Sequence, residues 1–141
     1  MGKQLSIFVE NKPGKVNKIT GILEKAKINM KAMTIADSGS FGIIKLITDD
    51  NAKAFDILRK KNFLVSLQNV VVVEMADKVG AFHKVARILE DGGINIEDAY
   101  GFIMEEGKKA ALILKVMDSD INRAEGILKE NGYKSIENFN V

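Results

Sequence analysis

The sequence predicts an α+β protein made of two consecutive β-α-β-β-α-β units, each an antiparallel sheet with two helices on one face. Two observations predict this fold. The second half of the 141-residue chain repeats the first, so that Gly80 corresponds to Gly14 and Asn95 corresponds to Asn29. In both halves, apolar stretches with strand-like and helix-like spacing follow one another in the same order. We therefore expect two domains, at residues 1–68 and 69–141.

We predict six secondary-structure elements in the first copy. Its first helix has apolar residues at helical spacing along one face. Asp49 and Asp50 supply caps and favourable charge for the start of the second helix. The predicted elements are, in order, a strand at Leu5–Val9, a helix at Val16–Ala26, strands at Asn29–Ala36 and Phe41–Thr48, a helix through Ala54–Lys61, and a strand at Phe63–Leu67.

The second copy repeats this order. Gly92-Gly93 and Asn131-Gly132 end its two helices, because such residues readily adopt a positive φ at a helix C-terminus. Between the copies stands Gln68-Asn69, a turn-prone pair that marks the domain boundary. The predicted elements are a strand at Val70–Glu74, a helix at Ala81–Asp91, strands at Asn95–Ile103 and Lys109–Met117, a helix at about Asp120–Asn131, and a strand at Lys134–Phe139.

This element order is typical of the ferredoxin-like plait, in which split β-α-β units with right-handed crossovers build a four-stranded antiparallel sheet. Such a sheet leaves one face and two edges exposed, and a partner copy can cover them. We therefore expect a pseudo-symmetric pair of domains within the chain, and a homodimer of chains.

The composition excludes several classes of protein. The net charge is only +2 and the lysines are scattered among carboxylates, whereas a nucleic-acid binder usually shows a basic stripe. The chain has no cysteine, which excludes thiolate metal sites and thiol nucleophiles. Its apolar runs are too short for a membrane span or a secretion signal. We expect a cytoplasmic protein that binds neither nucleic acid nor membrane.

A turn with the pattern Asn/Asp-x-x-Gly leaves the first strand and opens the first helix of each copy. It runs from Asn11 to Gly14 and again from Asp77 to Gly80. Free N–H groups at a helix start attract a carboxylate or phosphate, and glycine lets a ligand approach the backbone. The side-chain oxygen of Asn11 or Asp77 can accept a hydrogen bond from an ammonium group. These groups suit a free α-amino acid, although the same residues are also common in helix caps and tight turns.

Each turn has a companion Asn, Asn29 or Asn95, which we place at the start of the second strand. Strand propensity does not require an Asn there, so we interpret each turn and its Asn as a candidate amino-acid clamp. No catalytic residue, metal or cofactor is expected. His83 is the only histidine, and no acid–base pair or nucleophile has a motif context. The segment Asp37–Gly42 lacks the ending of a phosphate-binding loop and is expected to be a hairpin turn.

Two segments, VENKPGKVNKITGILEKAKINMKAM and MADKVGAFHKVARILEDGGINIEDAY, closely resemble the ACT domain. This is the small amino-acid-sensing regulatory module of many biosynthetic enzymes. The resemblance covers essentially the whole chain as two ACT domains without a catalytic domain, as in the small stand-alone tandem ACT proteins of prokaryotes. It implies a non-catalytic regulatory protein whose effector amino acid lies between paired domains, against the first loop and the start of the second strand.

The resemblance also implies which residues bind the ligand. Val9 and Met75 stand where some amino-acid-binding members have a polar residue, and Val79 replaces a common Pro. We therefore expect the two sites to bind unequally. The implied residues are Asn11, Pro13, Gly14, Lys15, Val16, Ile28 and Asn29 in the first copy, and Asp77, Val79, Gly80, Ala81, Phe82, Ile94 and Asn95 in the second.

Two functions stay open from the sequence. In the first, the chain is a regulatory protein that binds a free amino acid or a similar small carboxylate at ACT-domain interfaces. In the second, it is a ligand-free structural module that assembles with itself or with a metabolic enzyme. The departures at Val9, Met75 and Val79 favour the second function.

Overall fold

The computed structural model describes residues 2–137. Contacts between Cα atoms divide them into two compact units. The N-terminal unit is Lys3–Gln68, and the C-terminal unit is residues 69–137 together with Gly2.

The N-terminal unit has the element order β-α-β-β-α-β. Its second helix begins at an aspartate cap, because Asp50 accepts a hydrogen bond from the backbone N–H of Lys53 at 3.0 Å. The elements are β1 (Gly2–Glu10), α1 (Lys15–Lys25), β2 (Met30–Ser38), β3 (Phe41–Thr48), α2 (Asn51–Lys60) and β4 (Leu64–Ala76).

The C-terminal unit repeats this order, and it begins with the part of β4 that follows Gln68. A single 3₁₀ turn, Asp118–Asp120, precedes its second helix. The remaining elements are α3 (Ala81–Asp91), β5 (Asp98–Glu105), β6 (Lys109–Lys115), α4 (Ile121–Glu130) and β7 (Lys134–Ser135).

The strand order is the same in both units. It is β4-β1-β3-β2 in the N-terminal unit and β7-β4-β6-β5 in the C-terminal unit. The pairs β1–β3, β2–β3, β4–β6, β5–β6 and β4–β7 are antiparallel. Helix α1 contacts α2, and α3 contacts α4. The predicted fold, two ferredoxin-like units with antiparallel sheets, is confirmed.

The predicted turn at Gln68-Asn69 is wrong. Both residues lie inside the single strand β4, which replaces the two separate strands expected at Phe63–Leu67 and Val70–Glu74. Five of the thirteen residues of β4 are valines, which favour extended backbone, and four of them directly follow Asn69. In addition, Gln68 Oε1 accepts a hydrogen bond from Gln4 Nε2 at 2.9 Å. Strand pairing and packing therefore outweigh the turn propensity of the pair.

The placement of the companion asparagines is also corrected. Strand β2 begins only after Asn29, and β5 begins only at Asp98, beyond Asn95. Asn29 pairs with a loop residue rather than a strand, since its N–H donates to Asp49 Oδ1 and its carbonyl accepts from the Asp49 N–H, both at 3.0 Å. Both asparagines are exposed.

Two further strand bounds differ in the C-terminal unit. Strand β6 ends at Lys115 rather than Met117, because the chain there turns into the 3₁₀ segment before α4. Strand β7 is confined to Lys134–Ser135, and the next N–H, of Ile136, still donates to the Val72 carbonyl at 2.9 Å. The end of the predicted last strand, at Phe139, lies outside the described residues.

Each unit has its own apolar core between its sheet and its helices. Alternate residues of β1, namely Leu5, Ile7 and Val9, point into the N-terminal core. Ile19 and Leu23 of α1 meet them there, almost fully buried. In the C-terminal unit, the corresponding buried residues of β4 and α3 are Val71, Val73, Val85 and Leu89.

The turn after each helix holds a left-handed residue at the same place in both units. After α1 it is Lys27 with φ of 57°, whereas after α3 it is Gly93 with φ of 72°. After α2 it is Asn62 with φ of 67°, whereas after α4 it is Gly132 with φ of 86°. Glycine adopts this conformation without steric cost, but lysine does not. The N-terminal unit therefore has backbone strain at Lys27, whereas the C-terminal unit avoids it with Gly93.

We predict that Lys27→Gly raises the free energy of unfolding of the N-terminal unit by about 0.5–1 kcal/mol, because it removes left-handed strain from an exposed position. The matched control is Lys25→Gly at the last residue of α1, which should not raise it, because no left-handed strain is relieved there. Urea unfolding followed by circular dichroism measures both changes. Equal destabilisation by the two substitutions would contradict the assignment of strain to Lys27.

Candidate functional site

The first loop of each unit enters its helix through a left-handed glycine. Gly14 precedes α1 with φ of 91°, and Gly80 precedes α3 with φ of 83°. A Cβ added at either position would meet nothing within 4 Å, so the backbone conformation, rather than crowding, requires glycine. No side chain of the described residues caps either helix. The N–H groups of Lys15 and Ala81 donate to the carbonyls of Lys12 and Lys78, at 3.5 and 3.2 Å. The next two N–H groups of each helix have no backbone acceptor among the described residues, so they remain available to solvent or to an anionic ligand.

In the N-terminal unit, the Asn11 side chain connects the first loop to the β2–β3 hairpin. Its Nδ2 donates to the Gly39 carbonyl at 3.0 Å and to Asp37 Oδ1 at 3.2 Å. Asp37 Oδ1 also accepts from the Gly39 N–H at 2.9 Å. The Asn11 amide nitrogen is thus engaged by the hairpin, and only its oxygen could meet the ammonium group of a ligand.

In the C-terminal unit, Asp77 makes the equivalent connection to the β5–β6 hairpin. Its Oδ2 accepts a hydrogen bond from the Gly107 N–H at 2.7 Å. Its backbone N–H donates to the Lys108 carbonyl at 3.2 Å. Gly107 has φ of 72°, close to the 73° of Gly39, so the two hairpin tips share a left-handed glycine.

The two connections have opposite polarity, which explains why one copy has Asn and the other has Asp. In the N-terminal hairpin, Asp37 already accepts the glycine N–H, so Asn11 contacts the glycine carbonyl and must donate. In the C-terminal hairpin, the residue at the place of Asp37 is Glu105, and Asp77 itself accepts the glycine N–H. The Asn–Asp difference is therefore first a difference in hairpin contacts.

The companion asparagines lie at the far end of the sheet from the loops of their own units. Glu10, just before the first loop, pairs with Phe41, whereas Met30, just after Asn29, pairs with Thr48 at the other end of β3. The nine residues of β2 separate the two ends by about 25–30 Å. A loop and its companion Asn in one unit therefore cannot hold the same amino acid.

The other predicted ligand residues divide by burial. Ile28 and Ile94 are buried, and their side chains belong to the two apolar cores. Ala81 is also buried, at the start of α3. In contrast, the loop residues lie at the surface. Those that are exposed are Asn11, Pro13, Gly14, Val16, Val79, Gly80 and Phe82, and those that are partly exposed are Lys15 and Asp77.

An open cleft of about 480 Å³ adjoins the first loop of the N-terminal unit. We call it the aromatic cleft, because Phe8, Phe41 and Phe63 line it. The rings of Phe8 and Phe41 stack, with centroids 4.8 Å apart. Lys18 Nζ lies 5.6 Å from the centroid of the Phe63 ring, a cation–π distance. Glu10 at its rim has a lowered pKa, chiefly through a hydrogen bond from Lys12.

A cleft of about 450 Å³ occupies the equivalent place in the C-terminal unit, beside Gly80. We call it the lysine cleft, after five lysines that line it, and Glu74 is the only carboxylate among the described residues of its lining. Sequence reasoning missed both clefts. The signal that could have revealed them is the composition of equivalent strand ends, where one copy has Phe41 and the other Lys109. The five lysines are Lys78, Lys84, Lys108, Lys109 and Lys134.

Metal-ligating side chains are dispersed in the described part of the chain. Among residues 2–137, no three His, Asp or Glu side chains are grouped so as to hold a metal ion. His83 is exposed on α3. No helix in this part of the chain is both long and apolar enough to span a membrane.

Comparison with known protein families identifies the family of this chain. A family model described as the ACT domain pair matches residues 1–141. The chain therefore belongs to the family of paired ACT domains, and the resemblance seen in the sequence is confirmed. Among curated protein sequences, none matches the chain significantly.

Solved structures share the fold over nearly the whole chain. Protein BT0572 from Bacteroides thetaiotaomicron is 33% identical, with 96% of this chain and 91% of that chain covered and a TM-score of 0.87. The ligand-free regulatory subunit of aspartate kinase from Thermus thermophilus is 14% identical, with 91% of both chains covered and a TM-score of 0.66. The aspartate kinase of Clostridium acetobutylicum is 20% identical, with 91% of this chain and 32% of that chain covered and a TM-score of 0.55. At the two lower identities the likeness is one of fold.

We predict that Asp77→Ala increases the exchange rate of the Gly107 amide hydrogen at least several-fold, because this N–H loses its carboxylate acceptor. Asn11→Ala should leave the Gly39 amide protected, because Asp37 still accepts from it. Hydrogen exchange followed by NMR compares the two variants directly. Equal loss of protection at both glycines would contradict the assigned polarity of the two connections.

Proposed function

We propose that this chain is a non-catalytic regulatory protein whose ACT units bind a free amino acid, or a similar small carboxylate, at their first loops. Binding would shift an equilibrium between two states of the protein that differ in packing or in association. The free energy of this shift cannot exceed the difference between the binding free energies of the ligand for the two states. Two of the proteins with a similar fold are a regulatory subunit and an allosteric enzyme, which is consistent with such a role.

One observation carries the proposal. Each unit presents an uncapped helix start behind a left-handed glycine, with open space at the Cβ position and a cleft alongside. The backbone N–H groups of the first turn can donate to a ligand carboxylate, and the helix dipole favours its negative charge. The oxygen of Asn11 and the carboxylate of Asp77 stand at the beginning of the same loops. They could accept from the ligand ammonium group.

A second ACT unit would complete such a site. Within one unit, the companion Asn lies too far from the loop to touch the same ligand. A ligand that contacts both features therefore needs the loop of one unit and the β2 or β5 start of another unit, in the same chain or in a partner chain. Where a partner chain supplies the second set of contacts, amino-acid binding and dimerisation would be linked.

The alternative function, an interaction module without a ligand, has its own supporting observation. Val79 is fully exposed, and Phe82 and Val16 are 42% and 38% exposed beside the loops. Apolar side chains placed this way could contact a second copy or a metabolic enzyme. In that case, partner binding would replace ligand binding at the same surface.

We predict that one or more of the twenty amino acids, at millimolar concentration, raises the melting temperature and binds in calorimetry. Analytical ultracentrifugation with and without that amino acid then measures its effect on dimerisation. No thermal or calorimetric response to any of the twenty would reject the regulatory function. It would favour the interaction module, for which co-purification of an enzyme is the expected result.

We predict that Gly80→Ala and Gly14→Ala each weaken binding of that amino acid at the substituted loop by about tenfold. A Cβ at positive φ costs about 1–2 kcal/mol and displaces the backbone that holds the ligand carboxylate. Because the loops are equivalent, each variant controls for the other. Calorimetry of each variant should therefore show one site that binds about tenfold more weakly and one site that is unchanged. Unchanged binding in both variants would exclude the loops as the site.

A further inference from the structure

The two clefts occupy equivalent places in their units but differ in the side chains that line them, which are more aromatic in one and more cationic in the other. Phe41 pairs with Glu10 at the end of β1, and Lys109 pairs with Ala76 at the end of β4, so the two residues correspond. Likewise, Leu64 begins the strand after α2, and Lys134 begins the strand after α4. Two apolar positions of the aromatic cleft are thus cationic in the lysine cleft.

The charges of the lysine cleft are largely uncompensated. Lys108 forms an ion pair with Glu105 at 2.6 Å. The other four lysines of this cleft have no ion-pair partner among residues 2–137, and Glu74 is the only acidic residue that lines it. Four unpaired ammonium groups around one carboxylate give this cleft an excess of positive charge that favours an anion.

Two of the three lysines that line the aromatic cleft are engaged, whereas the third, Lys61, has no ion-pair partner among residues 2–137. Lys15 approaches Glu10 at 3.9 Å, and Lys18 lies over the Phe63 ring at 5.6 Å. Its stacked pair, Phe8 and Phe41, presents apolar surface where the lysine cleft presents Glu74 and Lys109. The two units therefore do not offer the same surroundings to a ligand at their loops.

We propose that the lysine cleft selects a small carboxylate with a second anionic group, such as an amino acid with an acidic side chain. This inference rests on the proposed function, in which the loop N–H groups receive the α-carboxylate. The second anionic group would then lie among Lys84, Lys109 and Lys134, each of which lines the same 450 Å³ cleft. Tyr133, also in the lining, offers a hydroxyl donor to the same group.

Pairs of nearly isosteric ligands test the inference, because they differ in charge and hardly in size. We expect L-aspartate to bind the C-terminal unit at least tenfold more tightly than L-asparagine, and L-glutamate more tightly than L-glutamine. NMR titration of the full chain, read at the amides of residues 77–84, assigns binding to this unit. The preference should shrink between low and high salt, because charges in an open cleft are screened. Succinate, which lacks the ammonium group, shows whether the two anionic groups suffice.

Substitutions with a matched control identify the residues. Lys84→Gln and Lys109→Gln together should lower the affinity for L-aspartate about tenfold and leave that for L-asparagine unchanged. Lys18→Gln, at the place of Lys84 in the N-terminal unit, should leave both affinities at the lysine cleft unchanged. A preference for the acidic ligand that survives the double substitution would overturn the role of these lysines.

Two results separate this inference from the proposed function. If L-asparagine and L-glutamine bind the C-terminal unit as tightly as their acidic counterparts, the charge selection is wrong while amino-acid binding stands. If no amino acid and no dicarboxylate shifts any amide of residues 77–84, ligand binding at this loop is itself rejected.

Discussion

The geometry of each candidate site depends on the hydrogen bond between its first loop and the neighbouring hairpin. Asn11 and Asp77 fix the loops to hairpin tips at distances of 3.0 and 2.7 Å. The loop then turns through a left-handed glycine, which fixes the direction of the first helical N–H groups. A backbone hydrogen bond adds to each connection, from the Asn11 N–H to the Ser40 carbonyl at 2.9 Å and from the Asp77 N–H to the Lys108 carbonyl at 3.2 Å. Because these contacts order the loop before binding, a ligand does not have to order it.

Most of the fold could be predicted from the sequence, because the spacing of apolar residues and the internal repeat are local signals. Strand β3 and helix α3 were predicted with the observed bounds. The continuity of β4 through Gln68-Asn69 could not be predicted, because it depends on strand pairing and on the contact with Gln4. The sites were predictable only in part. The loops were recognisable from their glycines, but the partners of Asn11 and Asp77 follow from hairpin geometry.

Duplication explains how two unlike clefts arise on one backbone. The turns, helix starts and strand order are the same in both units, since they depend on positive φ at glycine and on buried apolar residues. The side chains at the strand ends contribute little to either core, so they were able to diverge. Phe41 and Lys109 show the result, because the same backbone position holds a stacked ring in one unit and a cation that lines the lysine cleft in the other.

The polarity of the two loop connections has a consequence for how the copies evolved apart. Asn11 Nδ2 lies 3.2 Å from Asp37 Oδ1, so an aspartate at position 11 would set two carboxylates against each other. An amide at the loop position can either donate to the hairpin or accept from it. If the ancestral arrangement was that of the C-terminal unit, the exchange of Asp for Asn in the loop therefore came before, or together with, the appearance of Asp37. A chimaera that carries Asp at position 11 beside the N-terminal hairpin would therefore place two carboxylates together, whereas one that carries only Glu at position 37 would keep an amide opposite a carboxylate.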